Sequence, residues 1–141
     1  MRILIDTNIF VFMALDPDSL SNDVLMVLNE PDTLLYISAE SVKELVVAAY
    51  KKKRLGTKKW KTAEEMVKAI EDIFYVQILP LKKEHLETFS RLRTNDAMAH
   101  NDPSDHMIIS HAITEDMTLV SSDTRFPFYR RQGLKLLYNE R

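Results

Sequence analysis

Short β-branched runs alternate along this chain with longer segments whose apolar residues recur at helical spacing, and this alternation strongly constrains the fold. Strands separated by helices form parallel sheets with helices on both faces, because each connection must cross back over the sheet. The pattern therefore predicts a three-layer α/β/α fold with a parallel five-stranded sheet. The predicted strands are Ile3–Ile5, Leu34–Ser38, Tyr75–Leu79, Thr118–Ser121 and Leu134–Leu137.

Length and composition exclude several classes of protein. A length of 141 residues is typical of one domain, so residues 1–141 are predicted to form a single domain. Because the chain has no cysteine, it can form neither a disulfide framework nor a thiolate metal site. No apolar run approaches the roughly 20 residues that span a bilayer, and no secretory signal precedes the first strand. We expect a cytoplasmic protein without membrane contact.

Charge is distributed unevenly along a chain whose net charge is only −2. The segment 51–61, KKKRLGTKKWK, holds seven cations and no acid. It is either a solvated helix end and loop, since cations favour helix C-termini, or a rim that contacts RNA phosphates while Trp60 stacks on an unpaired base. On the second interpretation, its RNA-binding residues are Lys51, Lys52, Lys53, Arg54, Lys58, Lys59 and Trp60.

Acidic residues stand at or just beyond the ends of the first two predicted strands. Asp6 directly follows Ile3–Ile5, at the edge where open α/β sheets place their ligands. An Asp in this position also caps the helix that follows it. Glu44 stands three residues after Ser41, which is a capping-box spacing, but a helix that starts at a strand end also directs its first side chains toward Asp6. A capping role and a functional role stay open for both acids.

Two further acids lie at the start of a predicted helix and at the end of the fourth predicted strand. Asp102-Pro103 predicts a helix start, which places Asp105 at the third helical position, where the helix dipole alone favours a carboxylate. The fourth strand ends in Ser121-Ser122-Asp123. Arg125 follows two residues later and either contacts a substrate phosphate or pairs with Asp123 and neutralises it. The second outcome argues against a metal ion at that acid.

A right-handed α/β winding places these acids at one edge of the sheet. Two carboxylates about 4 Å apart repel each other by roughly 4 kcal/mol at an effective dielectric constant near 20. A cluster of four therefore requires protons or cations, and oxygen-only ligands favour Mg²⁺ or Mn²⁺. Such ions activate water and stabilise the oxygens of an in-line displacement, so the sequence predicts a metal-dependent phosphodiesterase whose nucleophile is water. The four acids are Asp6, Glu44, Asp105 and Asp123.

Four ordered motifs resemble the signatures of the PIN domain family. They are ILIDTNIF at the N-terminus, Ser41-x-x-Glu44, DPSDHMIISHA at 102–112 and LVSSDTRF at 119–126, and they span nearly the whole chain. At this length the chain is similar to PIN domains of the VapC type, the toxins of bacterial toxin–antitoxin pairs. The resemblance implies the strand order 3-2-1-4-5 and Mg²⁺- or Mn²⁺-dependent endoribonuclease activity. It also implies a homodimer and a small antitoxin that covers the site.

The resemblance assigns roles to particular residues. Asn8 matches a small polar residue of the first motif, and Ser121 matches a hydroxyl that orients the last acid. Asp102 matches an acid found in only part of the family, which implies a supporting role beside the ligands. The lysine-dense segment after Glu44 is not part of the family pattern, so its RNA-binding role depends on charge alone. The catalytic and metal-binding residues implied are Asp6, Glu44, Asp105 and Asp123.

Two other functions stay open at the level of sequence. One is a non-catalytic PIN-like module that binds RNA or protein, which the presence of all four acids disfavours. The other is a phosphatase or phosphoacceptor domain, because these also place an Asp after the first strand. However, Asp6-Thr7-Asn8 lacks the second Asp that many phosphatases have, and no lysine follows the fourth strand as in receiver domains.

Three histidines lie close together in sequence, at the end of a predicted polar loop (94–101) and on the helix after it. His106 and His111 are five residues apart on that helix and do not share a face, which disfavours a zinc site. His100 either touches the substrate from its loop or packs against the protein.

Overall fold

A parallel sheet of five strands forms the centre of the molecule in the computed structural model, which describes residues 1–51 and 59–140. The strands are β1 (Arg2–Ile5), β2 (Leu34–Ser38), β3 (Val76–Leu79), β4 (Thr118–Ser121) and β5 (Lys135–Tyr138). Their order is β3-β2-β1-β4-β5, and every neighbouring pair is parallel. The predicted α/β class, strand number and strand order are confirmed.

Six α-helices connect the strands within the described residues, and none of them is long and apolar enough to cross a membrane. Ser21 and Thr62 cap two of the helices, since their hydroxyl oxygens accept hydrogen bonds from backbone N–H groups three residues later. Short 3₁₀ turns cover Pro17–Ser19, Asp96–Met98 and Pro127–Gln132. The helices are α1 (Thr7–Leu15), α2 (Asn22–Leu28), α3 (Ala39–Lys51), α4 (Ala63–Asp72), α5 (Lys83–Arg91) and α6 (Pro103–Glu115).

Side chains of β1 alternate between two hydrophobic cores, one on each face of the sheet. Ile3 and Ile5 belong to the first core and Leu4 belongs to the second, and all three are fully buried. A strand that is covered on both faces needs apolar residues at successive positions, which explains its uninterrupted apolar sequence. The first core includes Phe10, Leu45 and Met66 from α1, α3 and α4, and the second includes Ile108 and Ile109 from α6.

The start of α3 excludes a capping-box role for Glu44. The helix begins at Ala39, directly after β2 ends, so Ser41 is already inside the first turn and Glu44 lies in the second. The hydroxyl of Ser38 instead accepts a hydrogen bond from the backbone N–H of Glu40, at 3.1 Å. Glu44 therefore needs an explanation other than the helix end.

The predicted polar loop 94–101 is exposed at most of its positions but buries two polar side chains. Asn95 and His100 are buried, with 2% and 0% of their surface exposed. The loop folds back on itself, because the N–H of His100 donates to the carbonyl of Asn95 at 3.0 Å and Ala99 adopts a left-handed conformation with φ of 50°. The buried polar groups must therefore find partners inside the protein.

Candidate active site

A cavity of about 580 Å³ lies at the edge of the sheet where the parallel strands end. The structure brings all four predicted acids to its wall, together with Asp102, which had been given a supporting role. Arg125 is the one basic side chain among the described residues of this wall. The acids that line the cavity are Asp6, Glu44, Asp102, Asp105 and Asp123.

Asp6 both caps α1 and faces the cavity. Its Oδ1 accepts a hydrogen bond from the N–H of Thr7 at 2.7 Å, and its Oδ2 accepts one from the hydroxyl of Ser121 at 2.7 Å. Burial, aided by the charges of Asp105 and Glu44, raises the pKa of Asp6 to about 7 despite the lowering effect of the two hydrogen bonds. The capping and functional interpretations therefore both hold for this residue.

Ser121 connects the first and last acids of the predicted set. Its hydroxyl donates to the carboxylate of Asp6 and accepts a hydrogen bond from the backbone N–H of Asp123 at 3.1 Å. The resemblance had implied that this hydroxyl orients the last acid. In the structure the hydroxyl hydrogen goes to the first acid, and only the backbone of the last acid contacts Ser121.

Glu44 is oriented by a residue that the sequence analysis did not single out. The hydroxyl of Thr7 donates to Oε1 of Glu44 at 2.7 Å, which joins the start of α1 to the second turn of α3. Burial raises the pKa of Glu44, while this hydrogen bond lowers it and the charges of Asp102 and Glu40 raise it. Thr7 lies between Asp6 and Asn8 in sequence. A hydroxyl directly after a candidate metal-binding acid was the sequence signal that could have identified it.

Glu40 is a second residue that the sequence did not indicate, and it joins two helices that border the cavity. Its carboxylate accepts a hydrogen bond from the hydroxyl of Ser104 at 2.9 Å and forms an ion pair with Lys43. The contact fixes the first turn of α3 against the first turn of α6. The relative positions of Glu44 and Asp105, which stand on these two helices, depend on that contact.

The start of α6 supplies two acids, as its sequence predicted. Asp102 is the N-cap, and its Oδ1 accepts a hydrogen bond from the N–H of Ser104 at 2.9 Å. Asp105 stands at the third helical position, and burial, followed by the charges of Asp102 and Asp123, raises its pKa to about 7. Glu44, Asp102 and Asp105 each place an oxygen within 4.8 Å of the others. This spacing allows a single cation to contact all three.

A buried chain of hydrogen bonds holds Asp105 from behind. The N–H of Asn95 donates to the hydroxyl oxygen of Tyr129 at 3.0 Å, and that hydroxyl lies 2.9 Å from Nδ1 of His100. Nε2 of His100 lies 2.9 Å from Oδ2 of Asp105. When Asp105 is ionised, its carboxylate only accepts, so Nε2 carries the proton and Nδ1 accepts from the hydroxyl of Tyr129. Burial lowers the pKa of His100, so the ring is a neutral donor that orients Asp105.

This arrangement predicts that His100 controls metal affinity through Asp105. His100→Leu is expected to weaken Mn²⁺ binding by roughly 10- to 100-fold, the range found for groups that orient metal ligands. His100→Gln, which places an amide N–H near the position of Nε2, is expected to keep most of that affinity. Titration calorimetry with Mn²⁺ measures both variants. Equal losses in the two variants would show that His100 matters only for packing.

Among the described residues, Arg125 donates the hydrogen bonds that hold the carboxylate of Asp123. The Nε and backbone N–H groups of Arg125 donate to Oδ1 of Asp123 at 3.0 and 2.8 Å, and Nη2 donates to Oδ2 at 2.7 Å. Burial by itself raises the pKa of Asp123, but the hydrogen bonds and charge of Arg125 together bring it below its ordinary value. Of the two outcomes considered for Arg125, the structure shows the pairing with Asp123, which argues against a metal ion at that acid while the pair is intact.

The other residues predicted to bind RNA, where their side chains are described, are not among those that line the cavity. Lys52, Lys53, Arg54 and Lys58 lie outside the described residues, and Lys51 is the last residue of α3. Nζ of Lys59 donates to the carbonyl of Ala14 at 2.7 Å, near the end of α1. Trp60 packs against Phe10 and Phe74, with ring centroids 6.5 and 6.4 Å away. RNA contact by these residues stays a prediction. Asn8 lines the cavity and is exposed.

The histidines do not converge on one zinc site. His106 packs beside His100 and Tyr129, whereas His111 packs against His85 with ring centroids 3.9 Å apart. His85 accepts a hydrogen bond at Nδ1 from the N–H of Lys82, so its Nε2 carries the proton that points at Glu115, 2.6 Å away. A nitrogen that donates to a carboxylate has no lone pair for a metal. The hydrogen bond between His85 and Glu115 therefore joins α5 to α6, and the ring of His111 packs against that of His85.

The donor set of the cavity fits a hard divalent cation. Five carboxylates face one space, and two of them, Asp6 and Asp105, have pKa values raised to about 7. A raised pKa in a carboxylate means that its ionised form lacks compensation, which bound protons or a cation would supply. Oxygen ligands favour Mg²⁺ or Mn²⁺ over softer metals. The arrangement is chemically suited to activating water at a phosphate.

Comparisons with known proteins agree with the fold. The chain is similar to VapBC2 from Rickettsia felis, solved bound to a DNA fragment from its promoter, with a TM-score of 0.73 and 23% identity over 99% of this chain and 100% of that chain. It is similar to DNA-bound VapBC from Salmonella typhimurium, with a TM-score of 0.67 and 18% identity over 98% of each chain. It is also similar to VapBC-5 from Mycobacterium tuberculosis, a member of the VapBC family of toxin-antitoxin systems, with a TM-score of 0.60 and 16% identity over 99% of this chain and 98% of that chain.

Sequence comparison identifies the family. Comparison with curated proteins gives no match. The family model described as the PIN domain matches residues 3–132, which include every acid of the cavity and Arg125. The predicted resemblance is therefore confirmed, and the chain belongs to the PIN domain family.

Proposed function

We propose that this chain is a divalent-metal-dependent endoribonuclease and the VapC-like toxin of a toxin–antitoxin pair. The observation that carries the proposal is the meeting of Asp6, Glu44, Asp105 and Asp123 in one cavity, although they are up to 117 residues apart in sequence. Family membership adds that PIN domain toxins are typically nucleases. A non-catalytic binding module would have no need for acids that repel one another.

In this proposal the same four acids hold Mg²⁺ or Mn²⁺. A divalent ion held by these acids would supply water activation and charge stabilisation at the reacting phosphate. Thr7 and Ser121 fix the carboxylates of Glu44 and Asp6, so the ligands are held in place before the ion arrives. Asp102 and Asn8 line the same cavity and support the ligand set.

The side chains around the cavity favour water as the nucleophile. Both ring nitrogens of His100 are engaged, one by Tyr129 and the other by Asp105, and burial lowers its pKa. His100 is therefore a poor base for removing a proton from a ribose 2′-hydroxyl. Attack by water on phosphorus with the 3′-oxygen as leaving group gives a 5′-phosphate and a 3′-hydroxyl, whereas attack by the 2′-hydroxyl expels the 5′-oxygen and gives a 2′,3′-cyclic phosphate.

RNA binding in this proposal depends on cations beside the acidic cavity. Arg125 stands in the cavity wall, and the planar guanidinium suits a phosphate. The other proposed contacts come from the segment 51–60, through Lys51, Lys52, Lys53, Arg54, Lys58, Lys59 and Trp60.

The partners are proposed from the family. The structures to which this chain is similar include VapBC toxin–antitoxin systems. We infer that this chain, as a single domain of residues 1–141, forms a homodimer in the cytoplasm and is held by a small antitoxin that covers the cavity. An acidic cavity of this kind requires a cationic group from any protein that closes it.

The proposal predicts metal-dependent cleavage of RNA with 5′-phosphate ends. The purified protein is expected to cleave single-stranded or structured RNA in Mg²⁺ or Mn²⁺ and to lose that activity in excess chelator, because the acids alone cannot activate water. End-group analysis of the products measures the chemistry. Full activity in chelator or 2′,3′-cyclic ends would contradict the mechanism. Tight RNA binding without cleavage in several divalent ions would identify a binding module, and hydrolysis of a small phosphate monoester with RNA untouched would identify a phosphatase.

A further inference from the structure

The guanidinium of Arg125 lies between two of the proposed metal ligands. Its Nη2 is 2.7 Å from Oδ2 of Asp123 and 3.5 Å from Oδ2 of Asp105. Asp105 and Asp123 also place carboxylate oxygens within 4.8 Å of each other. The positive charge of Arg125 therefore stands in the space that a cation bridging these two acids would use.

We propose that Arg125 and the divalent ion compete for Asp105 and Asp123, and that metal binding releases the guanidinium to bind the phosphate of the substrate. Competition for the acids concerns this chain and the ion only. The second step, binding of an RNA phosphate, rests on the proposed ribonuclease function. Arg125 is in this way a substrate ligand that becomes available only when the metal is bound.

The backbone around Arg125 is anchored, so the side chain can move by itself. Its N–H donates to Oδ1 of Asp123 at 2.8 Å, and its carbonyl accepts a hydrogen bond from Nδ2 of Asn95 at 3.2 Å. The next residue, Phe126, is fully buried in the second core. The side chain of Arg125, in contrast, is 35% exposed and borders the open cavity. Rotation about its side-chain bonds moves the guanidinium without disturbing the fold.

Electrostatics explains why the exchange has a direction. Without metal, the cavity holds five acids and one described cation, so the guanidinium gains by staying on Asp105 and Asp123. A divalent ion would bring twice the charge of the guanidinium, so its attraction to Asp105 and Asp123 would exceed that of Arg125. The released guanidinium can then donate its N–H groups to another anion. In the proposed reaction, that anion is the phosphate of the RNA.

Thermodynamic linkage makes the proposal measurable. If Arg125 must leave the acids before the ion binds fully, removing Arg125 tightens metal binding. If the released guanidinium then binds phosphate, removing it weakens RNA binding only when metal is present. The two effects have opposite signs: metal binding becomes tighter and RNA binding in the presence of metal becomes weaker. Removing a residue that merely stabilises the cavity would not produce this combination.

The first experiment tests the competition with Mn²⁺ alone. Arg125→Gln is expected to bind Mn²⁺ about tenfold more tightly than the unmodified protein in titration calorimetry, within the usual range for coupled sites. Arg125→Lys keeps the charge but loses the two-pronged contact, and an intermediate affinity is expected. Arg131→Gln is the matched control, because Arg131 is an exposed cation outside the cavity. Unchanged or weaker Mn²⁺ binding by a folded Arg125→Gln protein would overturn the proposal.

The second experiment tests the release toward phosphate. Fluorescence anisotropy measures the affinity for a labelled single-stranded RNA with and without Ca²⁺. The increase in RNA affinity on adding Ca²⁺ is expected to be several-fold smaller in Arg125→Gln than in the unmodified protein and in Arg131→Gln. Equal increases in all three proteins would overturn the release step. If the unmodified protein binds no RNA under either condition, the proposed function fails, while the Mn²⁺ titration still decides whether Arg125 competes for the acids.

Discussion

Replacing Asp6 with asparagine is expected to reduce the rate of RNA cleavage by more than about a hundredfold, beyond the range for groups that only orient metal ligands. Asp6 directly contacts Thr7 and Ser121, and it shares the cavity with the other acids. Asparagine has nearly the same shape but removes one negative charge from the proposed metal site. The measurement is the single-turnover rate of RNA cleavage in saturating Mn²⁺, together with Mn²⁺ affinity by calorimetry.

A matched variant tests whether the loss of activity comes from removing a metal ligand or from removing an acidic side chain anywhere on the protein. Asp32→Asn makes the same chemical change at an exposed position in the turn before β2 and is expected to leave the rate unchanged. The fold of Asp6→Asn is expected to survive, because the asparagine side chain can still accept the hydrogen bond that caps α1. An unchanged cleavage rate in a folded Asp6→Asn protein would remove Asp6 from the mechanism.

The second large effect is a dependence of stability on pH in the metal-free protein. The pKa of Asp6 is raised from 3.8 to about 7 in the folded state, mainly by burial. Between these values the folded protein keeps a proton that the unfolded chain has released, so stability falls as pH rises. Each unit of pKa shift corresponds to about 1.4 kcal/mol, so the contribution of Asp6 amounts to a few kcal/mol at neutral pH.

Buried histidines act in the opposite direction, so the effect is best measured as a difference between two proteins. Burial lowers the pKa of His111 to about 4 and also lowers that of His106, which makes stability rise with pH over part of the same interval. Subtracting the unfolding free energy of Asp6→Asn from that of the unmodified protein cancels this contribution.

Urea unfolding at several pH values provides the free energies for this comparison. The difference is expected to fall by a few kcal/mol between about pH 4 and pH 7 without metal, at about 1.4 kcal/mol per unit of pKa shift, and to become nearly flat in saturating Mn²⁺. A flat difference in the absence of metal would show that the folded protein does not disfavour the ionised form of Asp6.

The sequence predicted the positions of strands and helices well, because these positions depend on local signals. Strand Leu34–Ser38 and the start of α6 at Pro103 lie where the sequence placed them. These elements are specified by apolar periodicity, by Asp at the N-cap and by Pro at the first helical position, all of which act within a few residues. Strand order followed from the family resemblance and not from such signals.

The convergence of the acids was also predictable, because topology alone directs strand ends to one edge. Asp6 and Asp123 follow two strands that are neighbours in the sheet, and the N–H of Asp6 donates to the carbonyl of Val120 at 3.0 Å. The sequence could not decide whether Glu44 caps its helix. That depended on where α3 begins, which is set by the end of β2 and not by the Ser41 spacing.

The sequence by itself determined which residue types the site holds and at which edge of the sheet they stand. Tertiary structure alone decided which partner each of them has. The chain of hydrogen bonds from Tyr129 through His100 to Asp105 joins residues 29 and 5 positions apart, and it depends on the burial of His100 from an otherwise exposed loop. The pairing of Arg125 with Asp123 in place of a substrate phosphate likewise depends on which charges share the cavity. Local propensity acts along the chain, whereas burial and charge act through space, and only the folded molecule brings these groups together.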